Sequence, residues 1–359
     1  MILVTKPFLP PKKAFDLLVD QIWKRNWLTN NGPLVNELEL KLKRSLQLDH
    51  LLFTSNGTIA LQMAIKALNL KGEIITTPFS YVATTSSIVW ESCTPVFADI
   101  DKKRLTIDPT KIESLITDKT SAILATHVYG IPCHIEEIRI VASKHNLKVV
   151  YDGAHAYGTI YKGKSLLSYG DISTLSTHAT KLFHTIEGGA VITNNPDLLK
   201  RLAYLRNFGH DGYDKYNGVG INGKNSEFHA AMGLANLPFI DEIINKRKQD
   251  CMLYDSWLID KGIGRPLIPS NTSYNYAYYP IILDSESQTL KILNELTKNE
   301  ISSRRYFYPS LSKLDYVKGN LTPISDDISS RVLCLPLYFD ITDSEIEMVC
   351  RIIIRTLKY

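Results

Sequence analysis

The 359-residue chain contains no run of about 18 apolar residues, the length a helix needs to cross a bilayer. Its first stretch, Met1 to Phe15, is too short and too broken by proline to be the apolar core of a signal peptide. Its five cysteines are scattered and none forms a C-x-x-C pair, so they read as free thiols of a reducing compartment, and a cytoplasmic protein is expected. One sign of charge does not dominate: 41 Lys and Arg stand against 37 Asp and Glu, a net charge of +4 with no long like-charged run. Without a basic stripe, neither nucleic acid nor an acidic membrane surface is an expected partner. H-E-x-x-H, G-x-S-x-G and G-x-x-x-x-G-K-[ST] are all missing, and no G-x-G-x-x-G follows a strand. His127 and His134 flank VYGIPC at a spacing that polar packing explains more simply than metal ligation, and no metal site is expected.

What is present is alternation. Short runs that are apolar on both faces occur at Ile74–Thr77, Val96–Ala98, Ala122–Ala125, Val149–Tyr151, Ile172–Ser176 and Ala190–Thr193. Between and beyond them lie helical patterns such as Ile59–Leu68, His134–His145 and Asp197–Arg206. Such strands belong under helices on both sides, so the expected class is α/β with a mostly parallel central sheet. The pattern stops at Phe208–Asn225, where five glycines and many polar residues predict a long surface loop. A helix over Ser226–Leu237 follows. The division expected is a large unit over 1–240 and a smaller α+β unit over 241–359. The latter ends in Ser344–Leu357, with Ile346, Val349, Ile353 and Leu357 at helical spacing.

Several local features can carry chemistry. Thr54-Ser55-Asn56-Gly57-Thr58 opens a helix, where free N–H groups suit a phosphate; alone, this reads more simply as a plain N-cap. Tyr81 follows a strand and can stack on a flat ring, although a packed tyrosine is the simpler account. Val149-Val150-Tyr151 runs straight into Asp152, and ligands of open α/β sheets bind beyond the carboxyl ends of strands. A carboxylate there can keep a ring nitrogen protonated; equally, it can cap the next turn. The strand to Ser176 is followed by Lys181, whose amine can form a Schiff base with an aldehyde while Ser176 bonds a phosphate. A lone lysine is ordinarily a surface charge, but Leu182-Phe183 and Gly188-Gly189 place this one beside apolar elements. In SSRRYFYPS, Arg304, Arg305, Tyr306 and Tyr308 suit a diphosphate, or form a solvated face.

Taken in order, SNGTIAL, TTPFSYVATTSSIVW, THVYGIPCHIEEI, VVYDGAHAYG, GDISTLSTHATK, EGGAVITN, RNFGHDG, NSEFHAAMG and LCLPLY make the chain resemble the DegT/StrS-type nucleotide-sugar aminotransferases, from about Pro10 to Tyr338. These are fold-type I pyridoxal-phosphate enzymes. The resemblance implies pyridoxal 5'-phosphate as cofactor, with pyridoxamine 5'-phosphate as its intermediate form, and L-glutamate and a nucleotide sugar as substrates. It implies that Gly57, Thr58 and Ser176 hold the phosphate, Tyr81 stacks on the ring, and Asp152 binds its nitrogen. His155 would lie near the ring hydroxyl, and Lys181 would be the catalytic lysine that carries the cofactor. Asn222 would reach a neighbour's phosphate across a homodimer with shared active sites. Here Asn222-Gly223-Lys224-Asn225 departs from the family's asparagine-aromatic-arginine-methionine stretch, so nothing is carried over to Lys224. The segment HATKLFHTIEGG is similar to the version in enzymes that make the 4-amino-4,6-dideoxyglucose nucleotide used in bacterial surface polysaccharides. C3-aminating relatives carry a tyrosine-proline-glycine-lysine version. Sugar dehydratases of this fold replace the lysine with histidine, which Lys181 argues against.

Overall fold

The central sheet is built from seven short strands: β1 His50–Thr54, β2 Glu73–Thr76, β3 Thr94–Phe97, β4 Thr120–Thr126, β5 Lys148–Asp152, β6 Ile172–Ser176 and β7 Gly189–Thr193. A computed structural model describes residues 1–358. The strand order is β1-β7-β6-β5-β4-β2-β3. β7 runs antiparallel to both of its neighbours, and the pairs among β2 to β6 are parallel. The sheet is thus mostly parallel, as the doubly apolar runs predict.

Alternation along each strand decides which cluster a residue joins. Leu51, Phe53, Ile123, Ala125, Val149, Tyr151, Ala190 and Ile192 face one cluster. Leu52, Ala122, Leu124, Val150 and Val191 face the other. The first face is covered by α1 Lys12–Arg25, α2 Pro33–Ser45, α5 Ile135–Lys144 and α7 Glu227–Asn236. The second is covered by α3 Gly57–Ala67, α4 Val82–Trp90 and α6 Pro196–Arg206. Each leucine- or isoleucine-sized side chain so buried contributes about 1.5–3 kcal/mol. That double cover is why the strands are short continuous apolar runs.

A separate cluster gathers Tyr254, Tyr279, Ile281, Ile292, Leu296, Leu333, Leu335, Ile346, Val349 and Ile353. Its frame is α8 Ile240–Leu258, β8 Tyr279–Ile282, α9 Glu286–Lys298, β9 Val332–Leu335 and α11 Asp343–Lys358, with β8 antiparallel to β9, while α10 Pro323–Arg331 packs on α9 and puts Ile328 into a further cluster with Phe79 and Phe307. Ile2 also packs in this cluster and pairs with Ile301, so the chain begins against its C-terminal part. Ile346, Val349 and Ile353 lie on the buried face of α11, and Leu357 packs against the same cluster partly buried. Residues 208–225 form no helix or named strand and are largely exposed. β1, α1 and α2 are additions to the elements expected from sequence. No helix among the described residues is long and apolar enough to cross a membrane.

Candidate active site

The carboxyl ends of β4, β5 and β6 meet at one edge: Thr126 lies beside Asp152, and Asp152 beside Thr174. The start of α3 comes down onto Ser176. A Cβ on Gly57 would sit 3.0 Å from that of Ser176, and one on Gly189 would strike the Asn56 carbonyl carbon at 2.5 Å. Glycine at 57 and 189 is therefore what lets a helix N-terminus approach the strand end. The Asn56 side chain accepts the N–H of Ile59 at 2.8 Å. The N–H groups of Gly57 and Thr58 belong to a first turn that has no intrahelical acceptors.

A cavity of about 250 Å³ opens at this edge. Gly57, Thr58, Tyr81, Asp152, His155, Ser176 and Lys181 all line it. Asn222 does not: it is exposed on the 208–225 loop, bridged to Asn207. A wider groove of about 900 Å³ along α9 and α11, lined by Trp257, Lys291, Arg351 and Arg355, holds none of the residues singled out from sequence.

Asp152 is only 5% exposed. Its carboxylate accepts the Thr84 hydroxyl at 2.7 Å and the Ala154 N–H at 3.0 Å. Thr84 ends a buried hydroxyl chain, 2.8 Å from Ser80, which is 3.0 Å from Thr126. The two donors fix the carboxylate and leave acceptor capacity on both oxygens.

Lys181 rides the loop between β6 and β7. Thr177 N–H bonds the Gly188 carbonyl at 2.8 Å, Ala179 N–H the Ile186 carbonyl at 2.7 Å, and Lys181 N–H the His178 carbonyl at 2.9 Å. Burial pushes the Lys181 amine below its ordinary range, and the charges of Asp152, Tyr306 and Tyr81 oppose that shift only in part. A lysine made easier to deprotonate is a better nucleophile and base. His155 Nδ1 accepts the Tyr129 N–H at 3.1 Å, which assigns the ring proton to Nε2. Burial, then the Lys181 charge, pushes this imidazole well below its ordinary value, so it is neutral. Its ring lies 4.7 Å from that of Tyr278 and parallel to Phe307 at 5.8 Å. Tyr81 is the N-cap residue of α4 and is 54% exposed, so its ring is available at the cavity mouth.

The SSRRYFYPS segment divides. Arg304 and Tyr306 line the cavity, whereas Arg305 pairs with Glu286 at 2.6 Å and lies over the Tyr308 ring. Sequence reasoning missed Ser80, Thr84, Tyr278 and Phe307. The hydroxyl-rich TTPFSYVATTS was the one signal for the first two. His127 packs on the Tyr151 ring at 4.5 Å and accepts the Cys133 N–H through Nδ1 at 3.2 Å, a packing role.

The chain is similar to known proteins over nearly its whole length. The dTDP-4-amino-4,6-dideoxy-D-glucose transaminase of Escherichia coli is 41% identical over 98% of this chain and 97% of its own. The GDP-perosamine synthase of Vibrio cholerae is 30% identical over 91% of this chain and 92% of its own. Among solved structures, DesI in the presence of its TDP-sugar product superposes with a TM-score of 0.93 at 32% identity, covering 99% of this chain and 92% of its own. With residues 11–354 matching the family model, the chain belongs to the DegT/DnrJ/EryC1/StrS aminotransferase family.

Proposed function

We propose that the protein transfers the amino group of L-glutamate to C4 of a nucleotide-linked 4-keto-6-deoxy sugar, dTDP-4-keto-6-deoxy-D-glucose, using pyridoxal 5'-phosphate. The product is dTDP-4-amino-4,6-dideoxyglucose, a precursor suited to bacterial surface polysaccharide. The observation that carries this reading is one cavity in which Lys181, with its amine made easier to deprotonate, stands with Asp152, whose carboxylate keeps spare acceptor capacity. The 41% identity to a transaminase of that product supports the choice of sugar.

The residues present fit the cofactor. The glycine-lined approach of α3 to Ser176 is a cradle that a Cβ would fill, and it offers N–H groups and a hydroxyl to a phosphate. When bound, pyridoxal phosphate supplies an aldehyde and a ring that takes up the electron pair of a broken C–H bond. Gly57, Thr58 and Ser176 would hold its phosphate. Tyr81 would cover one ring face, Asp152 would keep the proton on the ring nitrogen, and His155 would bond the ring hydroxyl. In the first half-reaction, Lys181 as a free amine would take the α-proton of L-glutamate; the amino group would stay with the cofactor, water would supply the carbonyl oxygen, and 2-oxoglutarate would leave. In the second, Lys181 delivers a proton to sugar C4. One amine thus serves both directions. We infer a homodimer in which Asn222, outside its own cavity, serves the neighbour's.

The test is incubation with pyridoxal phosphate, L-glutamate and dTDP-4-keto-6-deoxyglucose, with the product assigned by NMR. A new amine at C4 is expected; a sugar recovered unaminated at C4 sinks this reading.

A further inference from the structure

Arg304 stands apart from the other charged groups of the cavity. Its backbone is clamped to β9: Arg304 N–H bonds the Cys334 carbonyl at 3.1 Å, and Cys334 N–H bonds the Arg304 carbonyl at 2.8 Å. Its guanidinium lies over the Tyr306 ring, 5.0 Å from the centroid. Both side chains line the cavity with Lys181, and the Tyr306 hydroxyl feels the charges of Arg304 and of Lys181. Arg304, Tyr306 and Lys181 thus share one cavity, with the guanidinium set against the Tyr306 ring.

The arginine has no acidic partner among the described residues. The next residue shows what a structural arginine looks like here: Arg305 holds Glu286 at 2.6 Å, donates to the Ser330 carbonyl at 3.0 Å and stacks on Tyr308 at 3.4 Å. Neither carboxylate that lines the cavity pairs with Arg304. Glu187 lies 3.3 Å from His178 Nε2, and Asp152 holds Thr84 and the Ala154 N–H. With Lys181 committed to the cofactor, Arg304 is the permanently charged cation that this chain still offers the cavity. Its fork of N–H donors, aimed by Tyr306 and by the clamp to β9, suits a planar carboxylate or a phosphate.

We propose that Arg304 receives an oxyanion of the substrate and thereby sets which amino donors and keto sugars are accepted. This rests on the proposed transamination. The same chemistry comes from two sources, the carboxylates of glutamate and the diphosphate of the sugar nucleotide, which would visit the site in turn.

The test compares the holoenzyme with Arg304→Gln and Arg304→Lys in three measurements: KM for L-glutamate in the first half-reaction, KM for the keto sugar nucleotide in the second, and Kd for dTDP by calorimetry. Cofactor absorbance serves as the control for an intact site. Loss of a bidentate charged contact predicts that Arg304→Gln raises at least one of these constants about ten- to hundredfold, with kcat much less affected, and that Arg304→Lys recovers part of the loss. A rise in the glutamate constant alone identifies the carboxylate; a rise in both nucleotide constants identifies the diphosphate. All three constants unchanged, with normal absorbance, overturns the inference. If the wild-type protein itself does not transaminate, the function proposed above falls, and Arg304 is judged on the dTDP titration alone.

Discussion

Two buried aspartates stand just at or past strand ends of the same sheet, and they differ in what is left over. Asp99, past the end of β3, is 8% exposed; Asp152, ending β5, is 5% exposed. Asp99 accepts four hydrogen bonds: Ile100 N–H at 2.9 Å, Ile324 N–H at 2.8 Å, Ser325 N–H at 2.8 Å and the Ser325 hydroxyl at 2.7 Å. Three of these fall on Oδ1 and one on Oδ2, and three of the four donors belong to the first turn of α10, where negative charge is favourable. Asp99 is thus a cap that ties the C-terminal part of the chain to the sheet. Asp152 accepts two bonds, one on each oxygen, and faces a cavity. Burial and strand position do not separate the two; the donors each carboxylate holds, four against two, and the cavity in front of Asp152 do.

Exchanging each for asparagine breaks the comparison in opposite directions. Asp152→Asn should lower turnover on the order of 10²- to 10³-fold, the size of losing one preorganised electrostatic contact, while the urea midpoint stays near that of the wild type. Unchanged turnover would mean that the spare lone pairs do no chemistry. Asp99→Asn turns an amide N–H₂ toward backbone donors and should cost about 2–4 kcal/mol, read as a lower urea midpoint, with kcat of the folded fraction unaltered. A loss of kcat without loss of stability would remove the distinction.

A third effect, a slope with pH, concerns the buried histidine behind Asp152. His127 N–H bonds the Asp152 carbonyl at 3.0 Å, and burial pushes its imidazole from 6.5 down to about 3. Below pH 6.5 the unfolded chain takes up a proton that the folded one refuses. The stability due to this group is therefore whole above 6.5 and lost as pH falls toward 3, by up to about 1.4 kcal/mol per pH unit. His127→Asn keeps an acceptor near the Cys133 N–H and should flatten the fall of urea stability in that window by this amount. An unaltered slope would show that His127 titrates normally.

How much of this was legible depended on how local each signal is. Strands covered on both faces are short apolar runs in the sequence, so β2 to β7 were found with small shifts at their ends. β1 was not: HLLFT is five residues long and follows α2 closely, and its antiparallel partner β7 is far along the chain. Asp152 and Lys181 were legible because an apolar strand leads into the first, and the second sits between a strand and a glycine pair. Ser80 and Thr84 lie on no periodic pattern, and a buried hydroxyl chain appears only once β4 and α4 meet. Tyr278, Phe307 and Arg304 reach the cavity through packing of the C-terminal part against the sheet. For Arg304 and Arg305 the sequence offered the same two readings; the partner of Arg305, Glu286, tells them apart.

The central claim is that Lys181 is the amine of a pyridoxal-phosphate site. The most direct measurement loads the protein with pyridoxal phosphate, reduces it with borohydride, digests it and maps the adduct by mass spectrometry. The account predicts one cofactor adduct, on the peptide that contains Lys181, which disappears in Lys181→Ala. An adduct on a different lysine, or none on a protein that still transaminates, would contradict it.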